Sequence, residues 1–130
     1  MGGSVGIDLV LISRIAESLA CFGDRFLTRV FTDGEIAYAT ASPEHTAERL
    51  AARFAAKEAV IKALDLADVG VGWRDIEVTR APSGRCALAL HGAARAAAGA
   101  VALSVSLSHE GDYATAVVLA MRDGKEAPQS

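Results

Sequence analysis

The sequence has few cysteines, few aromatic residues and no excess of positive charge, and each shortage excludes a class of protein. Cys21 and Cys86 are isolated, without a Cys-x-x-Cys pair or a histidine at metal-ligand spacing. We therefore expect two reduced thiols in a cytoplasmic protein, with neither a disulfide nor a zinc site. The formal net charge of -3 and the absence of a lysine and arginine run argue against nucleic acid as a partner.

Long apolar runs are also missing from the sequence. The longest uncharged stretch, Ala96 to Ser108, is shorter than the ~20 residues that a membrane-spanning helix requires. The first residues have neither the basic flank nor the continuous apolar segment of a secretory signal. The sequence therefore predicts a protein that has no membrane partner.

The length of 130 residues fits one domain with a real core. We expect this domain to span residues 1–122, and the polar residues 123–130 to form a disordered tail. The hydrophobic fraction of 52% is high for a single soluble domain, which favours burial of some apolar surface between subunits.

Hydrophobic periodicity and turn residues predict an α+β domain, in which an antiparallel sheet packs on one long helix and several short helices. In the first strand, Val5, Ile7 and Leu9 share one face, whereas Gly6 and Asp8 share the other. The predicted strands are 5–10, 76–79, 86–90, 103–108 and 113–121, and the last two form a hairpin. The predicted helices are 12–20, 24–31, 32–40, 42–66 and 92–98.

The predicted long helix contains charges of both signs between Arg53 and Lys62. Glu58 and Lys62 are four residues apart and therefore neighbours on the helix. One carboxylate among several cations suits a metal-bridged polyphosphate, although surface ion pairs would produce the same pattern. Asp8 is an acid in an otherwise apolar strand, and such an acid normally requires a partner or a cation.

With these segments the chain resembles the holo-acyl-carrier-protein synthase family of small 4'-phosphopantetheinyl transferases. The order and spacing of the shared blocks agree with that family from about Val5 to Ala120. The blocks are Gly6-Ile7-Asp8 with Arg14-Ile15, then Arg53-Phe54-Ala55-Ala56-Lys57-Glu58-Ala59 with Lys62-Ala63-Leu64, and finally Ser106-Leu107-Ser108-His109 with Tyr113-Ala114.

The resemblance implies transfer of the 4'-phosphopantetheine arm of coenzyme A to a serine of an apo acyl carrier protein, with release of 3',5'-ADP. It implies a small α+β fold, a homotrimer with active sites at the subunit boundaries, and magnesium held by Asp8 and Glu58. Lys62 is expected to contact the pyrophosphate. Glu58 is expected to accept the serine proton, either directly or through a metal-bound water.

The resemblance also assigns binding roles to further residues. Arg53 and His109 match positions that contact coenzyme A, and Arg14 matches a position that docks the carrier protein. Second-rank candidates for carrier docking are Arg25, Arg29 and Phe26. Lys57 is expected in a surface or intersubunit ion pair, and Ser106 and Ser108 are expected to have structural roles.

The chain departs from the family pattern after Leu64, where residues 65–72 introduce Asp65 and Asp68 near the expected phosphates. This departure suggests an altered loop path or weaker coenzyme A binding, and it keeps open a catalytically weak relative that only binds carrier proteins. A magnesium-dependent hydrolase of nucleoside pyrophosphates is a third hypothesis. The carrier could belong to fatty-acid synthesis or to a polyketide or peptide pathway.

Overall fold

A computed structural model describes residues 2–122 of the chain. The strands are β1 (Gly2–Leu11), β2 (Ile76–Arg80), β3 (Cys86–Leu90), β4 (Ala102–Glu110) and β5 (Tyr113–Arg122). The helices are α1 (Ile12–Phe22), α2 (Asp24–Val30), α3 (Asp33–Thr40), α4 (Thr46–Leu64) and α5 (Gly92–Ala98), with 3-10 turns at Pro43–His45 and Trp73–Asp75. The predicted tail, 123–130, lies outside the described residues.

Two antiparallel sheets form around the long helix α4. One sheet has the strand order β1-β5-β4, and the other pairs β2 with β3. The predicted hairpin of β4 and β5 is confirmed, with Ser106 opposite Val117. The α+β class predicted from the sequence is therefore confirmed, although the described residues form two sheets instead of one.

The buried face of β1 approaches α4 very closely at Gly6. A Cβ atom added to Gly6 would lie 2.0 Å from the carbonyl oxygen of Ala59 and 2.9 Å from the nitrogen of Ala63. Only glycine fits such an approach, and the small side chains of α4 at this contact allow it. The alternation of β1 then turns Asp8 to the same side as Gly6, toward α4.

The opposite face of β1 is exposed, although it is apolar. Val5, Ile7 and Leu9 are 64%, 62% and 62% exposed. Val117 and Leu119 of the neighbouring strand β5 extend this exposed apolar face, because Ile7 pairs with Val117 and Val5 with Leu119. The predicted alternation is thus correct. Within one protomer, the face of β1 that carries Gly6 and Asp8 packs toward the core, and the apolar face is exposed.

Two sequence predictions about the charged helix are corrected by the structure. The helix expected over 42–66 is interrupted, because Pro43–His45 forms a 3-10 turn before α4 begins at Thr46. Asp65 ends the helix in the left-handed conformation, with φ 56°. Lys57 is not a surface or intersubunit residue: its side chain is fully buried and pairs with Glu35 of the same chain at 2.8 Å.

Side-chain caps stabilise the starts of two short helices, α3 and α1. Thr32 and Glu35 form the predicted capping box at the start of α3. The first turn of α1 is capped from the distant β4–β5 turn, because the Asp112 carboxylate accepts hydrogen bonds from the Ser13 N–H and hydroxyl at 2.9 Å and 2.6 Å. No helix within residues 2–122 is long and apolar enough to cross a membrane.

The close approach at Gly6 makes a testable prediction. Replacing Gly6 with Ala forces β1 away from α4, and we expect a loss of roughly 1–3 kcal/mol in the free energy of unfolding. Urea denaturation followed by circular dichroism measures this loss. Gly2→Ala in the same strand is the matched control, since its added Cβ meets no atom within 4 Å. Equal stabilities of the two variants would contradict the packing described here.

Candidate active site

Asp8 lies near the end of β1, where its carboxylate faces α4. Its Oδ1 accepts a hydrogen bond from Lys62 Nζ at 3.0 Å, and the same ammonium donates to the Ile7 carbonyl at 2.9 Å. The Asp8 side chain is 18% exposed and that of Lys62 is 55% exposed. The strand acid therefore has a cationic partner on the helix, one turn beyond Glu58.

Glu58 projects from α4 into the same cavity as Asp8. This cavity has a volume of about 460 Å³ and is called the carboxylate cavity below. Partial burial raises the pKa of Glu58, the negative charge of Asp8 raises it further, and Lys62 partly offsets both effects. Asp8 and Glu58 are 50 positions apart in the sequence, yet both line one cavity, and the charge of Asp8 raises the pKa of Glu58.

The rest of the carboxylate cavity combines one cation with apolar side chains. Arg14 and Phe26 line it, so two of the predicted carrier-binding residues lie beside the two acids. Phe54 of α4 also lines it and packs on the ring of Trp73, with ring centroids 5.0 Å apart. Arg25 and Arg29 are exposed on α2 and do not line this cavity.

A second cavity, the arginine cavity, has a volume of about 520 Å³ and contains the predicted coenzyme-binding residues Arg53 and His109. Three guanidinium groups surround the Tyr38 ring within it. The central guanidinium carbon, Cζ, lies 4.3 Å from the ring centroid in Arg49, 4.4 Å in Arg53 and 4.8 Å in Arg80. Such a concentration of cations around an aromatic face fits an anionic, phosphate-bearing ligand.

His109 and Arg53 differ in exposure within the arginine cavity. The imidazole Nε2 of His109 lies 3.0 Å from a carboxylate oxygen of Glu48, and its side chain is 54% exposed. Arg53 is only 4% exposed, and burial lowers the pKa of its guanidinium. Ser106 and Ser108, expected to be structural, line this cavity as well.

The structure thus divides the predicted site residues between two places in one protomer. Asp8 and Glu58 come together at the carboxylate cavity and Lys62 pairs with Asp8 beside it, whereas Arg53 and His109 lie in the arginine cavity. Sequence reasoning missed Tyr38, Glu48, Arg49 and Arg80. The four-residue spacing of Arg49 and Arg53 on α4 was the one available signal, because it places both on one helix face.

The altered segment after Leu64 carries its acids on the surface of the protomer. Asp65 and Asp68 are exposed and line neither cavity. Leu66 is 4% exposed and joins the core below α4. The extra negative charges therefore face solvent in the protomer.

The donor set at the carboxylate cavity fits magnesium. Two carboxylates that face one cavity supply the hard oxygen ligands that Mg²⁺ takes, with phosphate oxygens and waters completing its shell. Burial and, after it, the negative charge of Asp8 raise the pKa of Glu58, and a bound cation would relieve that charge repulsion as a proton does. Residues 2–122 contain no group of three or more histidine, cysteine or acidic side chains arranged for a metal, so such a site would depend on the substrate.

Comparisons with known proteins identify the family of this chain. Residues 4–118 match the family model described as the 4'-phosphopantetheinyl transferase superfamily. A holo-[acyl-carrier-protein] synthase of Gloeobacter violaceus is 49% identical over 117 residues, covering 88% of this chain and 89% of the relative. One from Koribacter versatilis is 47% identical over 118 residues, covering 88% of this chain and 94% of the relative.

Solved structures show the same fold. The complex of the Chronobacterium ammoniagenes enzyme ACPS with CoA has a TM-score of 0.82 and 38% identity, covering 95% of this chain and 99% of that one. The Helicobacter pylori holo-[acyl-carrier-protein] synthase in complex with coenzyme A has a TM-score of 0.77 and 30% identity, covering 90% and 99%. The family match over most of the chain, the relatives and the shared fold together lead to one conclusion: this chain belongs to the holo-[acyl-carrier-protein] synthases of the 4'-phosphopantetheinyl transferase superfamily.

Proposed function

We propose that this chain transfers the 4'-phosphopantetheine arm from coenzyme A to a serine hydroxyl of an apo acyl carrier protein, with Mg²⁺, and releases 3',5'-ADP. The observation that carries this proposal is that Asp8 and Glu58 face one cavity and that Lys62 pairs with Asp8. The names of the relatives and the coenzyme A complexes of similar structures support the same reaction.

In the proposed reaction, the serine oxygen forms a new bond to the phosphorus that carries the pantetheine arm. The bond from that phosphorus to the oxygen of the departing 3',5'-ADP breaks, and the serine proton leaves. Glu58 accepts this proton, directly or through a water, and burial beside Asp8 suits it to that task because it raises the pKa. Mg²⁺ held by Asp8 and Glu58 supplies electrostatic stabilisation of the phosphoryl oxygens.

Lys62 is the cation that pairs with the strand acid. In the free protomer its ammonium neutralises Asp8 at 3.0 Å, and the side chain is half exposed. If Asp8 held a magnesium ion, this ammonium would be free to bind the pyrophosphate of coenzyme A. Lys62 therefore balances charge in both states, with Asp8 in the free state and with phosphate in the bound state.

The separation of the two cavities supports a homotrimer with active sites at subunit boundaries. Coenzyme A has a diphosphate and a separate 3'-phosphate. Its binding site therefore requires both the acids of the carboxylate cavity and a separate cationic region. The exposed apolar face of β1 and β5 is the surface that we propose packs against neighbouring copies. In this arrangement the arginine cavity of one protomer completes the carboxylate cavity of the next.

The carrier protein is proposed to dock at the rim of the carboxylate cavity. Arg14 and Phe26 line that cavity, and the exposed Arg25 and Arg29 extend the basic surface along α2. An acidic carrier would place its serine near Glu58 when it contacts Arg14. These exposed charges act mainly on the rate of association.

Transfer activity provides the first test of the reaction. The protein is incubated with coenzyme A, Mg²⁺ and several apo carrier proteins, and mass spectrometry detects the added arm. We expect Glu58→Ala to lower kcat by about 100-fold, because a main electrostatic group is lost. Glu44→Ala, an exposed acid that lines neither cavity, is the control with normal turnover.

Two further measurements, together with the transfer assay, separate the alternative functions. Carrier binding without coenzyme A binding, measured by calorimetry, would support a catalytically weak carrier-binding relative. Phosphate release from nucleoside pyrophosphates would support a hydrolase. Failure to modify any carrier would refute the proposed transfer.

Assembly through the exposed face is tested by Leu119→Glu. A charge on this apolar face opposes its burial, so we expect the trimer to dissociate and transfer activity to fall with it. Light scattering measures the molar mass, and circular dichroism checks the fold. Ala97→Glu adds the same charge on an exposed position of α5 and is expected to leave the assembly unchanged. A trimeric Leu119→Glu variant would exclude this face as the interface.

Carrier docking is tested by Arg14→Ala. We expect a higher KM for the carrier protein, an unchanged KM for coenzyme A and a weaker dependence of kcat/KM on salt. Arg95→Ala removes an exposed arginine of α5 that lines neither of the two cavities and serves as the control. Equal carrier KM values for the two variants would place the docking surface elsewhere.

A further inference from the structure

Lys57 and Glu35 form an ion pair in which both side chains are 0% exposed. Lys57 Nζ lies 2.8 Å from Glu35 Oε1. The same ammonium donates to the carbonyl of Trp73 at 3.1 Å and to the carbonyl of Ile76. All three of its donors therefore have partners, and none of them is directed into either cavity.

The Glu35 carboxylate is equally occupied. Its Oε1 also accepts from the Thr32 N–H at 2.9 Å, and its Oε2 accepts from the Val78 N–H at 2.7 Å. Residues 2–122 contain no buried side-chain nitrogen or oxygen atom that lacks a hydrogen-bond partner. The pair thus joins four parts of the fold: α3, α4, β2 and the turn before β2.

Three of these elements contribute the cluster around Tyr38. Tyr38 belongs to α3, Arg49 and Arg53 belong to α4, and Arg80 ends β2. The residues that line a cavity of about 260 Å³ include Glu35 together with Tyr38, Arg53 and Arg80. The ion pair is therefore adjacent to the arginine cluster, and it connects the elements on which the cluster is built.

The physical chemistry of the two features favours a link between them. Three guanidinium groups around one ring repel each other, so their spacing must be imposed by the elements that contain them. A buried ion pair, in contrast, contributes little net stability compared with apolar residues of the same shape. What a buried ion pair does provide is defined geometry, because charged hydrogen bonds fix the distances and orientations of the groups they join.

We propose that Glu35 and Lys57 are positioning residues that hold α3, α4 and β2 at the spacing required for Tyr38, Arg49, Arg53 and Arg80 to bind the phosphates of coenzyme A. This inference rests on the proposed function for its ligand. Neither residue touches the coenzyme, and both act through the arginine cluster.

The test replaces both charges at once. Single replacements leave one buried charge unpaired and are expected to unfold the protein, so the informative variant is Glu35→Gln with Lys57→Met. We expect this double variant to fold, to bind coenzyme A at least about 10-fold more weakly by calorimetry, and to show a raised KM for coenzyme A with an unchanged KM for the carrier. A folded double variant that binds coenzyme A within twofold of the original protein would overturn the proposal.

The matched control removes an exposed ion pair between the same regions. Arg74 and Asp33 are 2.8 Å apart at the surface, where the Asp33 side chain is 95% exposed. The variant Arg74→Met with Asp33→Asn is expected to bind coenzyme A normally. Equal weakening in both double variants would show that the effect does not depend on the buried pair, and would also overturn the proposal.

A further variant, Glu35→Asp, and crystal structures test the positioning role independently of folding and of the proposed function. Glu35→Asp retains the charge but withdraws the carboxylate by one methylene group, so we expect a folded protein with weakened coenzyme A binding. Crystal structures of both variants report the guanidinium distances to Tyr38 directly, whether or not the original protein binds coenzyme A. Unchanged distances in both structures would refute the positioning role, whereas absence of coenzyme A binding by the original protein would refute only the proposed function.

Discussion

The contact between the backbones of β1 and α4 at Gly6 is the constraint on which the site depends. Ala59 leaves no space for a side chain at this point of the strand, so the backbones of strand and helix are in direct contact. Asp8 follows two residues later on the same strand face, and Glu58 precedes Ala59 on the helix. Two acids from distant parts of the sequence therefore face one cavity, because the backbones that bear them are locked together.

The charged residues of helix α4 lie in different environments on its different faces. Arg53 and Lys57 turn inward toward α3 and β2, where desolvation lowers the pKa of both groups. Glu58 and Lys62 turn toward β1 and remain accessible to ions and substrates. The same short motif thus supplies a structural charge, Lys57, whose hydrogen bonds are complete within the protein. Its other charges, Arg53, Glu58 and Lys62, lie in or beside the two cavities.

Local patterns in the sequence predicted most of the fold. Residues 86–90 and 92–98 have the predicted bounds, and the period-2 alternation of β4 and β5 indicated their hairpin. The burial of Lys57 could not be predicted, because helix spacing gives the face of a residue but not what covers that face. Glu35, its partner, belongs to another helix, and the arginine cluster likewise depends on Arg80 from a strand. Such contacts between distant segments leave no periodic signal in the sequence.

The strict alternation of β1 leaves no tolerance for a change in its length. Every second side chain faces α4, so a single inserted residue between Gly6 and Asp8 would reverse the faces of all that follow. Asp8 would then point away from Glu58, and an apolar side chain would take its place beside Lys62. Natural variation in this strand should therefore consist of substitutions that keep its length, whereas insertions and deletions should be confined to the loops between the other elements.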